Sequence, residues 1–207
     1  MPLLREWRVG DTGLAAIWKV EETEDFFYDN TGIETTISNS TKRIEHLAGR
    51  FLLRHLQHDF PLQAITRDEH NKPHLPNKAF YFSVSHSWPY IAAIVDVKCD
   101  AGIDIQVWTP RIMDIKTKFL SDAELDWCDN RHELVTLAWC SKEAIYKWHG
   151  KKGVSFKNHL PISSMKATDS GYDVVIDFQL AAVPHPVLLQ GIVHDHFGCV
   201  WVADAGE

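Results

Sequence analysis

Two stretches of this 207-residue chain carry the residue types best suited to chemistry: Gly102-Ile103-Asp104-Ile105-Gln106-Val107 and Trp139-Cys140-Ser141-Lys142-Glu143-Ala144-Ile145-Tyr146-Lys147. In the first, Ile103, Ile105 and Val107 alternate with Gly102, Asp104 and Gln106. That two-residue period predicts a strand with a carboxylate and an amide on one face, about 7 Å apart. In the second, Glu143 and Lys147 are four residues apart and therefore neighbours on one helix face. An acid from a strand, an acid from a helix and a lysine one turn away suit a hard cation bound together with a phosphate ester. The expectation is a phosphate-handling site.

Flanking elements must hold these residues in place. Leu3 to Val9 and Leu14 to Val20 read as a strand pair across Gly10-Asp11-Thr12-Gly13. A helix carrying Phe26 and Phe27 follows, ending near Gly32. From Ser40 to Leu56 apolar residues recur at 44, 47, 48, 51, 52 and 56, the helical period, with Arg43, Arg50 and Arg54 off the stripe. Phe80 to Ser85 and Tyr90 to Val97 read as strands, with His86 in the short connection between them. The strand of Asp104 comes next, then Pro110, a helix-like region from Ile112 to Cys128, and a long helix over 131–149 that Gly150 ends. Strands are expected at 172–178, 187–193 and 197–203. Each half thus offers a long helix and about three strands. The predicted fold is α+β: two similar lobes related by a pseudo-two-fold, 1–100 and 101–207, each a small antiparallel sheet packed with a long helix. His86, Asp104, Glu143 and Lys147 are expected to line a cleft between them.

Composition narrows the function classes. With 45% hydrophobic residues the chain can bury a core without disulfides or structural metal. Cys99, Cys128, Cys140 and Cys199 form no C-x-x-C pair and read as ordinary buried thiols of a reducing compartment. A net charge of −7 argues against nucleic-acid binding. No segment is apolar for long enough to serve as a leader or a membrane span, so a cytoplasmic monomer is expected, with no membrane partner. Basic residues gather at Lys42, Arg43, Arg50 and Arg54, and at Lys142, Lys147, Lys151 and Lys152, enough to hold a small anion locally.

Each feature alone also has an ordinary explanation. Asp104 reads as a salt-bridging acid, Glu143 and Lys147 as a helix pair worth about 0.2–0.5 kcal/mol, His86 as a structural histidine, and Arg50 and Arg54 as a solvated helix face. Their ordered occurrence is what changes the reading. Leu47 to Arg54, Asn71-Lys72-Pro73, Phe82 to Ser87, Gly102 to Ile105, Lys118 to Glu124 and Trp139 to Lys147, with Gly150-Lys151-Lys152-Gly153 behind, resemble the 4′-phosphopantetheinyl transferase superfamily, in its larger, two-lobed, surfactin-synthetase-activating type.

The resemblance implies transfer of the phosphopantetheine arm of coenzyme A to a serine of an apo acyl or peptidyl carrier protein, with release of adenosine 3′,5′-bisphosphate, as in a holo-[acyl-carrier-protein] synthase. By similarity, Asp104 and Glu143 bind Mg²⁺, His86 and Lys147 hold phosphate oxygens, and Arg50, Arg67, Lys72 and Ser85 anchor coenzyme A. Glu143, Lys147 and His86 are the catalytic candidates, Glu143 either as metal ligand or as base. Gln106 departs from the family's Asp-x-Glu pattern. Its amide oxygen is a candidate metal ligand that brings no charge, and a water is the alternative occupant of that position. A coenzyme A- or nucleotide-binding regulator without turnover, or a metal-dependent phosphodiester hydrolase, are the other readings. Lys116, Lys118, Phe119 and Leu120 are the candidate carrier-docking patch.

Overall fold

A computed structural model describes residues 2–204. The chain divides into two compact units, Met1–Ala101 and Gly102–Glu207, each built from antiparallel strands and helices, so the fold is α+β. Among the described residues no helix is long and apolar enough to cross a membrane.

In the first unit, β1 (Leu3–Val9) and β2 (Gly13–Lys19) form the initial hairpin. Helix α1 (Glu24–Thr31) stops at Gly32, whose left-handed backbone (φ 63°) returns its N–H to the Tyr28 carbonyl. Helix α2 (Ser40–Leu56) starts where the Asn39 side chain accepts from the Lys42 N–H at 2.9 Å. Two-residue strands β3 (Thr66–Arg67) and β4 (Pro73–His74) flank a turn. Then β5 (Tyr81–Ser87) and β6 (Tyr90–Asp96) complete a sheet of order β1-β2-β6-β5. The apolar stripe of α2 lies on this sheet: Leu47, Leu52 and Leu53 are buried with Ala16, Phe82, Ile91 and Ala93. Each such leucine contributes about 1.5–3 kcal/mol. Close approach is required at Gly49, where a β-carbon would come within 2.9 Å of Val84 Cγ1.

The second unit opens with β7 (Ile103–Val107), followed by α3 (Pro110–Ile115), a 3₁₀ turn at Lys116–Lys118 and α4 (Asp122–Cys128). The long helix α5 (His132–His149) ends on Gly150 at φ 73°. After α6 (Phe156–His159) come β8 (Ile162–Thr168), β9 (Gly171–Phe178), β10 (His185–Val193) and β11 (Phe197–Asp204), giving a sheet of order β7-β11-β10-β9-β8. Leu134, Leu137, Ala138, Cys140 and Ala144 of α5 are buried with Val174, Ile176, Leu189 and Val200 of the sheet.

Several expectations need correction. His86 lies inside β5, paired in register with Ile91, and not in the connection after the strand. The helix-like region from 112 to 128 is two helices. Ser121 restarts the chain with a capping box in which its hydroxyl accepts from the Glu124 N–H and the Glu124 carboxylate accepts from the Ser121 N–H. Strand β8 went unforeseen because Ile162-Ser163-Ser164-Met165-Lys166 has too few apolar residues to show an alternation. Phe119 and Leu120 are buried, so the apolar half of the suggested docking patch belongs to the core. Cys99 is exposed, unlike the other three thiols.

Lys142 is also misplaced by the sequence, which groups it with surface cations. It is fully buried. Its Nζ donates to Glu124 and to the carbonyls of Phe119 (2.9 Å) and Phe156 (3.0 Å). Burial lowers its pKa, and the bond to Glu124 opposes that shift. Glu124 in turn accepts from the N–H groups of Ser121 (2.7 Å) and Ile162 (2.8 Å). One buried ion pair thus ties α4, α5, α6 and β8 together. Lys142→Met leaves Glu124 charged, buried and short of its counter-ion, a loss of about 3–5 kcal/mol in urea unfolding. A loss below about 1 kcal/mol would show that the pair is not what holds these elements.

Candidate functional site

In the second unit, the position of Asp104 follows from a close approach. Gly102, just before β7, lies so near α5 that a β-carbon would come 2.2 Å from the Ala144 carbonyl oxygen and 2.8 Å from Trp148 Cβ. No side chain fits there, and β7 runs directly beneath the helix. Alternation then turns Ile103 and Asp104 to opposite faces of the strand. Asp104 is 6% exposed. Lys147 Nζ donates to its Oδ1 at 2.7 Å and to the Ile103 carbonyl at 3.2 Å.

Cys140, Glu143 and Lys147 follow one another along α5 at helical spacing, and all three act on or respond to Asp104. Burial, then the Asp104 carboxylate, which also accepts a hydrogen bond from the thiol, push Cys140 far above the usual thiol range. Burial pushes Glu143 up to about 7, the negative charge of Asp104 adds to this, and Lys147 opposes it. Two carboxylates therefore share one ammonium, and the site is short of positive charge. That donor set fits a hard divalent cation, which needs only one or two carboxylates when water and phosphate oxygens supply the rest. Gln106 is two residues along the strand from Asp104, and its Nε2 donates to the Val107 carbonyl at 3.1 Å. Among the described residues no group of three or more histidines, cysteines or acids is arranged as a metal cluster. Nothing in the residue types singles out Cys140, although its spacing to Glu143 and Lys147 places it on the same helix face.

In the first unit, cations gather around α2. Burial, then the Arg67 charge, lower the pKa of Arg50. Burial, then Arg50, Arg67 and His86, lower that of His46. Four basic groups from α2, β3 and β5 are thus near enough for their charges to act on one another. The β3–β4 turn sets Arg67: Asp68 Oδ1 accepts from the N–H groups of His70 (2.8 Å) and Lys72 (2.9 Å), and Arg67 donates to the Asn71 carbonyl at 3.0 Å. Lys72 Nζ lies 3.3 Å from Asp100. Ser85 is buried, and strand alternation turns it to the opposite face from His86, so the two do not point at one oxyanion from a shared loop. His46, absent from the sequence-based candidates, is one helical turn before Arg50, and Glu45 lies 3.2 Å from His86.

Comparison with known proteins gives these residues a context. Residues 100–196 match the family model described as 4′-phosphopantetheinyl transferase superfamily. The chain is 32% identical over 127 residues to 4′-phosphopantetheinyl transferase AcpT of Escherichia coli K12, covering 58% of this chain and 64% of that protein. It is 32% identical over 112 residues to a 4′-phosphopantetheinyl transferase of Bacillus subtilis, covering 50% and 47%. A putative 4′-phosphopantetheinyl transferase of Haemophilus influenzae is 29% identical over 112 residues, covering 48% and 47%. The matches therefore span from about half to just under two thirds of these relatives' lengths.

The shift of Glu143 has a consequence for stability. Its folded pKa of about 7 is above the unfolded value of 4.5, so its contribution is fully present below pH 4.5 and is lost as pH rises through 7. Glu143→Gln mimics the protonated form. Urea unfolding should find the variant close to the parent at pH 5 and more stable by about 2–3 kcal/mol at pH 8.5. An effect equal at both pH values contradicts the burial of a titrating carboxyl at this position.

Proposed function

We propose that the chain is a member of the 4′-phosphopantetheinyl transferase superfamily, whose family model matches residues 100–196, and that it is a holo-[acyl-carrier-protein] synthase. It transfers the 4′-phosphopantetheine arm of coenzyme A to a serine hydroxyl of an apo acyl or peptidyl carrier protein and releases adenosine 3′,5′-bisphosphate. The observation that carries this reading is the pairing of Asp104 with Lys147, beside a Glu143 whose proton affinity their charges and burial set.

In the reaction, the serine oxygen forms a bond to the pantetheine-side phosphorus of the pyrophosphate, and the bond from that phosphorus to the bisphosphate oxygen breaks. A serine hydroxyl is a weak nucleophile and the pyrophosphate is densely negative, so neutralising charge and accepting one proton are the main tasks. Mg²⁺, when held by Asp104 and Glu143, supplies positive charge to the pyrophosphate oxygens. Lys147 is placed to exchange its bond to Asp104 for one to the phosphate oxygens or the leaving bisphosphate. Glu143 serves as ligand or accepts the hydroxyl proton, and a group titrating near 7 suits the second role. Gln106 supplies an uncharged oxygen, or a water, where the family pattern has a second acid. Arg50, Arg67, Lys72, Ser85 and His86 are assigned to anchoring coenzyme A, whose phosphates match the excess of positive charge around α2.

Incubation with coenzyme A, Mg²⁺ and apo carrier protein should add one phosphopantetheine mass to the carrier. Chelation should abolish the gain, and Asp104→Asn or Glu143→Gln should lower turnover at least about 100-fold. Release of bisphosphate without carrier modification would instead indicate hydrolysis, and binding without product a regulator. Gln106→Glu, by adding a charge, should tighten Mg²⁺ activation several-fold; an unchanged magnesium titration would place Gln106 outside the coordination sphere.

A further inference from the structure

Glu45 is an acid set among cations. It lies on α2, next to His46 and five residues before Arg50, and is 3% exposed. Its Oε2 accepts from Lys42 Nζ at 2.7 Å and lies 3.2 Å from His86 Nδ1. Lys42 is mostly hydrated, its side chain 59% exposed, so its charge is screened. The carboxylate is buried and its charge is not.

A negative charge beside a phosphate-binding group should weaken binding by repulsion. Its effect on His86 resolves the conflict. Phe82, Val84 and His86 share the strand face that α2 covers, as the contact between Gly49 and Val84 shows. Glu45, itself held by Lys42, and His46 bear on the His86 ring from α2, and Arg50 on α2 and Arg67 on β3 act on His46 in turn. The register partner of His86 on β6 is Ile91, which carries no charge. Positive charge nearby works against an imidazolium: burial first, then Arg50, Arg67 and His86, push His46 toward the neutral form. Glu45 gives His86 a counter-charge at hydrogen-bond distance, accepts from Nδ1–H and fixes the rotation of a ring that remains 43% exposed.

We propose that Glu45 is a positioning residue that keeps His86 an imidazolium in a cationic neighbourhood, so that His86 adds a charged donor to the binding of a phosphate group. The assignment of that phosphate to coenzyme A rests on the function proposed above; the protonation of His86 does not.

Nitrogen-15 NMR of the whole chain tests the first part, with His86 assigned by His86→Gln. In the parent, His86 should titrate above 6.5 and its neutral ring should carry the proton on Nδ1. In Glu45→Gln, which keeps the shape and an acceptor oxygen, the midpoint should fall by about one unit or more. Calorimetry with adenosine 3′,5′-bisphosphate tests the second part. At pH 7.5 the variant should bind up to about tenfold more weakly, with the difference vanishing at pH 5.5 and absent in a His86→Gln background. A parent midpoint below 6.5 overturns the proposal even if the variant fails to fold. So does an unchanged midpoint in folded Glu45→Gln, or a loss of binding undiminished in the His86→Gln background. A shifted midpoint with no bisphosphate binding by the parent supports the role of Glu45 and counts against coenzyme A.

Discussion

The second unit depends on an ammonium with no access to solvent. Lys142 sits on α5 immediately before Glu143, and its three acceptors come from the end of the 3₁₀ turn, α4 and α6. An ion buried this deeply is tolerated only with its donors satisfied in good geometry, so the helix has one rotational setting that satisfies it. The setting that points Lys142 at Glu124 also fixes where the rest of the helix points. Cys140, Glu143 and Lys147 lie around Asp104, while Leu137 and Ala144 go into the core. The clamp thereby aligns residues it never touches.

A second constraint supports the first. Without the glycine at 102, the strand could not run this close to the Ala144 carbonyl, where a β-carbon would come within 2.2 Å, and Asp104 is carried by that strand to its bond with Lys147. Close packing and ion pairing thus set the same distance from opposite directions. The result is a pair of carboxylates with one shared cation, a state that favours protonation of Glu143 and leaves room for more positive charge.

The first unit shows the opposite imbalance. Arg50, His46, Arg67 and His86 crowd positive charge around α2, and Glu45 is an acid set among them. Holding like charges together costs stability, which is why the apolar stripe of α2 against β5 and β6 matters: it fixes the helix whatever the charges prefer. Charge excess of each sign is maintained by packing.

Periodicity alone located β1, β2, α2, β6, β7 and α5, because apolar residues recurring at two or 3.6 positions have one buried face to offer. It also put Asp104 on a strand and Glu143 and Lys147 on one helix face. Partnership was not legible. The lysine four residues after Glu143 bonds Asp104 instead, and Lys142, chemically identical in the sequence to its exposed neighbours, is in the core. His86 shifted from loop to strand because its exposure hides the alternation, and His46 and Glu45 acquired significance only when β3 and β5 came alongside α2. Spacing along the chain determines which side chains share a face of their own element. Which charge meets which is decided by the approach of distant segments, since Coulomb energy and desolvation depend on distances the linear order does not contain.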